Sequence, residues 1–492
     1  MPFNSEPFVL AFLPAALGGY FLLGRLGGTR WALLWIAAAS LLFYGWSNPS
    51  CTLLLIGSIA GNYVLGQRIM VLVKAERMRA ARLSLAFGIA VDLGLLGWFK
   101  YAGFLATNLA ATIGQPPPAL EIVLPLAISF FTFQQIMFLV DSFRLQRPDA
   151  GFLPYATFVA FFPHLISGPI VRPADIIPQF LRDDLARPRV EEIAAGLTIF
   201  LLGLAKKLVL ADLFARFADT GFDAAAHGAA LTFFEAWYAT LAYALQIYFD
   251  FSAYSDMAIG LARMLNVRFP LNFASPYQAT SIAEFWRRWH ITLGAFLRDY
   301  LYIPLGGSRG GERRRLLNLM LTMLLCGLWH GAAWRFVLWG GLHGAMLSLH
   351  ALWRRTAFPL PARLGQGLTL VAVLLAWVPF RATSLHAAGA MLRGLAGLNG
   401  VALPSTIISF LPAMAALVRP VPVLPWLGDA RTVSFPEVTA CLALGWFIVL
   451  VLPHLHELSE RARGWALTAG FAFTAQALFF APRITPFLYF QF

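Results

Sequence analysis

Apolar runs of 17 or more residues recur along the whole chain, and no other feature of the sequence limits its fold so strongly. A helix rises 1.5 Å per residue, so each run can cross a hydrocarbon layer about 30 Å thick. Candidate spans fall at roughly 7–24, 31–48, 51–73, 83–99, 122–143, 191–210, 231–249, 316–333, 336–352, 364–380, 437–453 and 464–482. Of 492 residues 59% are hydrophobic and 12% charged, too few charges to coat a soluble globule of this size. The expectation is an all-α, polytopic integral membrane protein. It has about 11–13 membrane-spanning helices, folded as one domain over 1–492. The opening MPFNSEPF carries no Lys or Arg, so the first run is expected to remain as a span.

The net charge of +13 does not require nucleic acid. Basic residues cluster in short loops between the spans, as the positive-inside rule demands. Arg25 and Arg30 place the first loop in the cytoplasm, neutral Asn48-Pro49-Ser50 is external, and Lys74 to Arg82 is cytoplasmic. Gln115-Pro116-Pro117-Pro118 is external again, and Arg144 and Arg147 are cytoplasmic. Cys51, Cys326 and Cys441 lack metal-ligand spacing and predict neither a disulfide framework nor a zinc site.

The alternation then breaks twice. Residues 152–171 are apolar, short, and interrupted by Pro154, Pro163 and Pro169, with basic clusters of the same predicted side on both flanks. Such a segment is re-entrant, and its broken backbone is tolerable only inside protein or beside a wet cavity. The same holds between Arg268 and Arg309, a segment that contains EFWRRWHITLGAFLRDYLYIPLGG (284–307). Read as a helix from Ser281, this stretch has two interpretations. Glu284, Arg287, Arg288 and Arg298 form an interfacial band, with Phe285, Trp286, Trp289 and Phe296 against lipid. Alternatively, His290 and the Arg298–Asp299 pair mark a site. After residue 381 the loop charges do not fix the topology, and 404–418 is apolar but short.

His330, in GLWHGAAWRFVLWGGLHG (327–344), is set inside an apolar helix with no charged neighbour before Arg335. Titratable groups within a membrane are costly and tend to be functional, although a neutral imidazole bonded to a neighbouring helix is the plainer alternative. Gly327 and Gly331, four apart, suit close approach of another helix or an acyl chain. His343 and His350 share a helix face; polar packing explains them more simply than haem ligation. Asp250 and Asp256 interrupt a further apolar run, as an ion-pair cluster with the arginines of 284–307 or as a substrate-lining wall. A deep histidine without a covalent nucleophile suits general-base activation of a hydroxyl. Arginines near the cytoplasmic face suit a phosphorylated carrier, and a dry cavity protects an activated acyl group.

These two histidine stretches resemble the membrane-bound O-acyltransferase family, in its bacterial, alginate-acetylating branch. PLAISFFTFQQIMFLVDSFR (125–144), FFPHLISGPIVRPADIIPQF (161–180), GLAKKLVLAD (203–212) and PFLYFQF (486–492) resemble it too, and 122–350 carries most of these motifs. His164 stands where the branch leads one to expect a residue such as glutamine. The resemblance implies a bundle of about a dozen helices around a central funnel in the bacterial inner membrane. It implies His330 as the catalytic histidine and His290 as a second polar residue of the site. Arg287, Arg288, Trp289, Arg298, Asp299, Trp329 and Asp250 are the expected substrate contacts. Acetyl-coenzyme A is the implied donor and co-substrate, with no bound cofactor or metal. The implied partner is a periplasmic or extracellular acyltransferase that completes transfer to a polysaccharide. D-alanyl transfer to teichoic acid and peptidoglycan O-acetylation remain open within the class, and a transporter or flippase outside it.

Overall fold

The computed structural model describes residues 1–46, 49–118, 120–146, 150–356, 358–410, 413, 418–422, 424–427, 434–457 and 487–488. The expected span at 464–482 and most of 486–492 lie outside the described residues, as does Arg147. The chain is almost wholly helical. Among the described residues five helices are long and apolar enough to cross a membrane: α1 (Pro7–Gly27), α3 (Pro49–Lys74), α4 (Met78–Thr112), α9 (Val190–Ala226) and α15 (Ala362–Arg381). Between them run α2 (Thr29–Gly45), α5 (Ile128–Arg144), α6 (Phe152–Ala160), α7 (Phe162–Leu165), α8 (Pro173–Phe180), α10 (Phe233–Met264), α11 (Ile282–Arg288), α12 (Ile291–Phe296), α13 (Glu312–His330) and α14 (Trp334–Trp353). The helices α16 (Leu385–Leu395), α17 (Ser405–Ile408) and α18 (Phe435–Val451) follow. Contacts divide the chain into two compact units, Met1–Leu204 with Tyr254–Asn272, and Ala205–Ala253 with Phe273–Phe492.

In the first unit a cluster of aromatic rings forms the core: Phe3, Phe8, Phe12, Phe43, Phe162 and Tyr254, all buried. The stretch expected to be re-entrant is broken into the short helices α6 and α7. The chain kinks at Phe161, and the freed Phe162 amide donates to Ser40 Oγ at 3.1 Å. That bond satisfies a peptide group which has no water to turn to. His164 is fully buried; Gln134 Nε2 lies 2.8 Å from its Nδ1, and Phe158, Phe161 and Phe269 surround the ring. Three basic loops meet at one end of this unit. Thr29 Oγ1 donates to the Asp183 carbonyl, Asn266 Nδ2 to the carbonyls of Leu185 and Arg187, and Glu192 receives both Arg263 and Arg268. Their shared end agrees with the shared side assigned to them by charge.

In the second unit α13 and α14 pack with their backbones in contact. A Cβ on Gly340 would run into the Met323 carbonyl and lie 3.2 Å from Gly327 Cα. On either side of the short apolar stretch after residue 404, β1 (Ala402–Pro404) pairs in parallel with β2 (Arg419–Val421).

The stretch 281–307 is not one surface helix. Ser281 caps α11 by accepting from the Glu284 amide, as the sequence suggests. The helix then stops at Trp289, which is extended, and His290, which adopts a left-handed conformation (φ 45°, ψ 54°). Phe285, Trp289 and Phe296 pack inside the protein, at 1%, 4% and 7% exposure, and not against lipid. Trp286 donates its indole N–H to His343 Nδ1 at 3.2 Å.

Two predictions follow from this geometry. Gly340→Val should cost about 3 kcal/mol or more of stability by forcing apart backbones in contact, whereas Gly57→Ala, where a Cβ meets open space, should not lower it. Thermal unfolding in detergent distinguishes them. By the same assay His290→Asn should keep the fold, and His290→Val should be about 1–2 kcal/mol less stable than Asn, because a β-branched residue resists the left-handed region.

Candidate active site

His330 is the last residue of α13, not an interior one. The chain leaves the helix at Gly331 and re-enters α14 at Trp334 after an extended Ala333. The three small residues Gly331, Ala332 and Ala333 let the hairpin turn tightly. His330 is 8% exposed. Its ring meets Trp339 edge-on at 5.0 Å and Phe380 at 5.2 Å, with Trp329 beside it at 4.8 Å. The imidazole opens onto an internal cavity of about 20 Å³, also lined by Ile247, Asp250, Phe251, Trp289, Trp339, Trp377, Phe380 and Leu488. That is room for about one water molecule. Five aromatic residues, from α10, the end of α11, α14 and α15, and a carboxylate thus share one cavity with a histidine.

Asp250, 3% exposed, faces this cavity from α10. It does not pair with the arginines of 284–307. Its Oδ1 accepts from Lys207 Nζ at 2.6 Å, and its Oδ2 from the backbone N–H of Leu488 at 2.9 Å. Lys207 is itself buried, pairs also with Asp212 at 2.8 Å, and lies 5.0 Å from the Phe487 ring centre. A buried charge requires a partner, and the two carboxylates on Lys207 supply it.

His290 is 1% exposed and does not line the cavity; it packs edge-on to Phe251, which does, at 4.8 Å, and lies 6.5 Å from Trp329. Trp289 joins the cavity wall, in contact with Trp377 at 5.0 Å. The arginines separate in their surroundings. Arg288 bonds Glu284 at 2.8 Å, and Arg298 is bidentate on Asp299 at 2.7 and 2.9 Å. Burial pushes the Glu284 carboxyl up, but hydrogen bonds from Thr280 and Arg288 outweigh it and hold the group below its ordinary value. Arg287 is exposed and lines a groove of about 890 Å³ with Thr280, Ser281, Glu284, His350 and Arg354. His343 is wholly buried against Trp286, Trp339 and Phe285, as polar packing requires.

Sequence reasoning missed Lys207, Trp339, Trp377, Phe380 and Leu488 as parts of the site. Trp339 belongs to the quoted histidine motif and Lys207 to GLAKKLVLAD, so those two were within reach. Trp377 and Phe380 carry no local signal, because their role comes from the return of α15 alongside α14.

Comparison with known proteins places this site in a family. The sequence model described as "MBOAT, membrane-bound O-acyltransferase family" matches residues 120–378. A peptidoglycan O-acetyltransferase of Helicobacter pylori is 43% identical over 82% of this chain and 81% of its own. A probable alginate O-acetylase of Pseudomonas aeruginosa is 42% identical over 80% of this chain and 75% of its own. A more distant teichoic acid D-alanyltransferase of Streptococcus thermophilus is 26% identical over 47% of this chain and 57% of its own. With long apolar helices throughout, and a family match that spans both histidine motifs, the chain belongs to the membrane-bound O-acyltransferase family and is a multi-pass membrane acyltransferase.

Proposed function

We propose that the protein moves an acetyl group from a cytoplasmic thioester to a hydroxyl of an exported polysaccharide, or to a periplasmic partner that relays it. The observation that carries this reading is the buried imidazole of His330 opening onto a small, aromatic-walled cavity with one carboxylate. Acetyl-coenzyme A is the expected donor. His330 takes the proton from the attacking hydroxyl as its oxygen bonds to the thioester carbonyl carbon. The carbon–sulfur bond then breaks, and the imidazolium returns the proton to the leaving thiolate. Products are an O-acetyl ester and a thiol, so atoms and charge balance. The walls of Trp289, Trp339, Trp377 and Phe380 exclude water that would hydrolyse the thioester.

His290 acts as a positioning residue through Phe251 and Trp329. Of the three arginines expected to hold the donor's phosphates, Arg288 and Arg298 already hold carboxylates. Arg287 is the one that opens on a groove, where Arg354 and His350 add positive charge or hydrogen-bond donors. Its volume of about 890 Å³ is of the size that holds a nucleotide-sized ligand. The segment 122–350 is proposed as the catalytic core.

Peptidoglycan as acceptor is the second reading, favoured by the 43% identity to a peptidoglycan O-acetyltransferase, close to the 42% of the alginate relative. Acetyl analysis of exopolysaccharide and peptidoglycan, in cells with and without the gene, separates the two.

His330→Ala should lower glycan-bound acetyl by at least about 100-fold at unchanged membrane level, read by mass spectrometry. Full acetylation in that variant would reject the role of His330, and substrate export without acyl consumption would favour a transporter. Arg287→Ala with Arg354→Ala should raise the KM for acetyl-coenzyme A about tenfold with kcat little changed, measured on membrane vesicles.

A further inference from the structure

Asp250 is set in the cavity in a way that packing alone does not require. It shares the lining with a single other ionisable side chain, His330, while the remaining walls are apolar or aromatic. Each oxygen receives one bond from outside, Lys207 Nζ at 2.6 Å on Oδ1 and the Leu488 amide at 2.9 Å on Oδ2. An ionised carboxylate offers about four lone-pair sites, so each oxygen retains acceptor capacity after these bonds. Lys207 favours the ionised form of the group, and it is fixed in turn by Asp212 at 2.8 Å. The Leu488 amide reaches Asp250 from 238 positions away, and the Leu488 side chain walls the same cavity. Two donors, one charged side chain and one backbone amide, therefore hold the carboxylate at the wall of a cavity that His330 also lines.

We propose that Asp250, clamped by Lys207 and the Leu488 amide, binds the acceptor and orients its hydroxyl for proton removal by His330. This rests on His330 as the base of acyl transfer. The acceptor's hydroxyl can give its hydrogen to only one group, and that group is His330. Asp250 accepts from a second hydroxyl or amide N–H of the acceptor. The acceptor is thus a polyhydroxylated or amide-bearing group rather than a simple alcohol.

The test uses the full-length protein in membrane vesicles, with acetyl-coenzyme A as donor and the cells' own glycan as acceptor. Asp250→Asn keeps the shape and removes the charge, while Lys207 retains Asp212. Lys207→Met with Asp250→Asn removes both charges together, so no new unpaired charge is left between them. Leu488→Pro removes the amide donor, and Leu488→Ala, which keeps the amide, controls for the lost side chain. Both Asp250 variants should lower kcat for glycan acetylation about 100-fold and leave the KM for acetyl-coenzyme A unchanged; Leu488→Pro should lower kcat about tenfold. Asp250→Glu, which restores the charge, should recover part of the rate. Wild-type kcat in the double variant would overturn the proposal and leave the pair a structural brace. A loss matched by equal loss of folded protein on size exclusion, with the residual specific rate unchanged, would overturn it as well. His330→Ala runs alongside. If that variant remains active, the reading of the catalytic base fails; if it is inactive while Asp250→Asn is normal, only the present proposal fails.

Discussion

A peptide group that leaves a helix inside a hydrocarbon layer has no water to bond, so every break in this chain has to be answered by protein. That constraint organises the structure. At Phe161 the helix breaks and Ser40 supplies the missing acceptor. At Trp289 and His290 it breaks again, and the segment is sealed by Phe273, Phe285 and Trp377 packed on Trp289. At Gly331 the third break ends α13 and leaves His330 at the helix terminus. Interruptions of this kind are where a membrane protein gathers polar side chains, and two of the three carry the histidines of the family motifs.

The hairpin of α13 and α14 shows how local sequence sets the site. Gly327 and Gly340 let the two backbones touch, which brings Trp339 to the face of His330. Trp339 lies also against His343, at 4.8 Å, and His343 is held by the Trp286 indole. The ring that meets the His330 imidazole is therefore fixed from behind by a hydrogen-bonded pair. Rigid walls of this sort exclude water and keep the reacting atoms in register.

Much of this was legible in the sequence, for reasons that differ by element. Hydropathy located the long apolar helices seen among the described residues, because length and apolarity are local properties. The prolines at 154, 163 and 169 announced the broken helices of that segment. The break at Trp289–His290 has no proline or glycine, and only tertiary packing imposes it, so a continuous helix was the natural expectation. The same reasoning misplaced the aromatic face of that stretch. A half-apolar helix reads as lipid-facing unless one knows what it packs on. The helix expected to end near 249 runs on to Met264, because Asp250, Ser252 and Asp256 are buried in the protein rather than placed at a membrane boundary. Trp377, Phe380 and Leu488 reach the cavity from later parts of the chain, and no spacing within one segment encodes that meeting.

The central claim is that the acyl carbonyl and the attacking hydroxyl meet at His330. The most direct test is a cryo-electron microscopy structure with a non-hydrolysable acetyl thioester analogue. Density for the acyl group is expected in the cavity between His330, Trp339 and Phe380, with the carrier's phosphates toward Arg287. An acyl group bound elsewhere in the protein, with that cavity closed and unchanged, would contradict the claim.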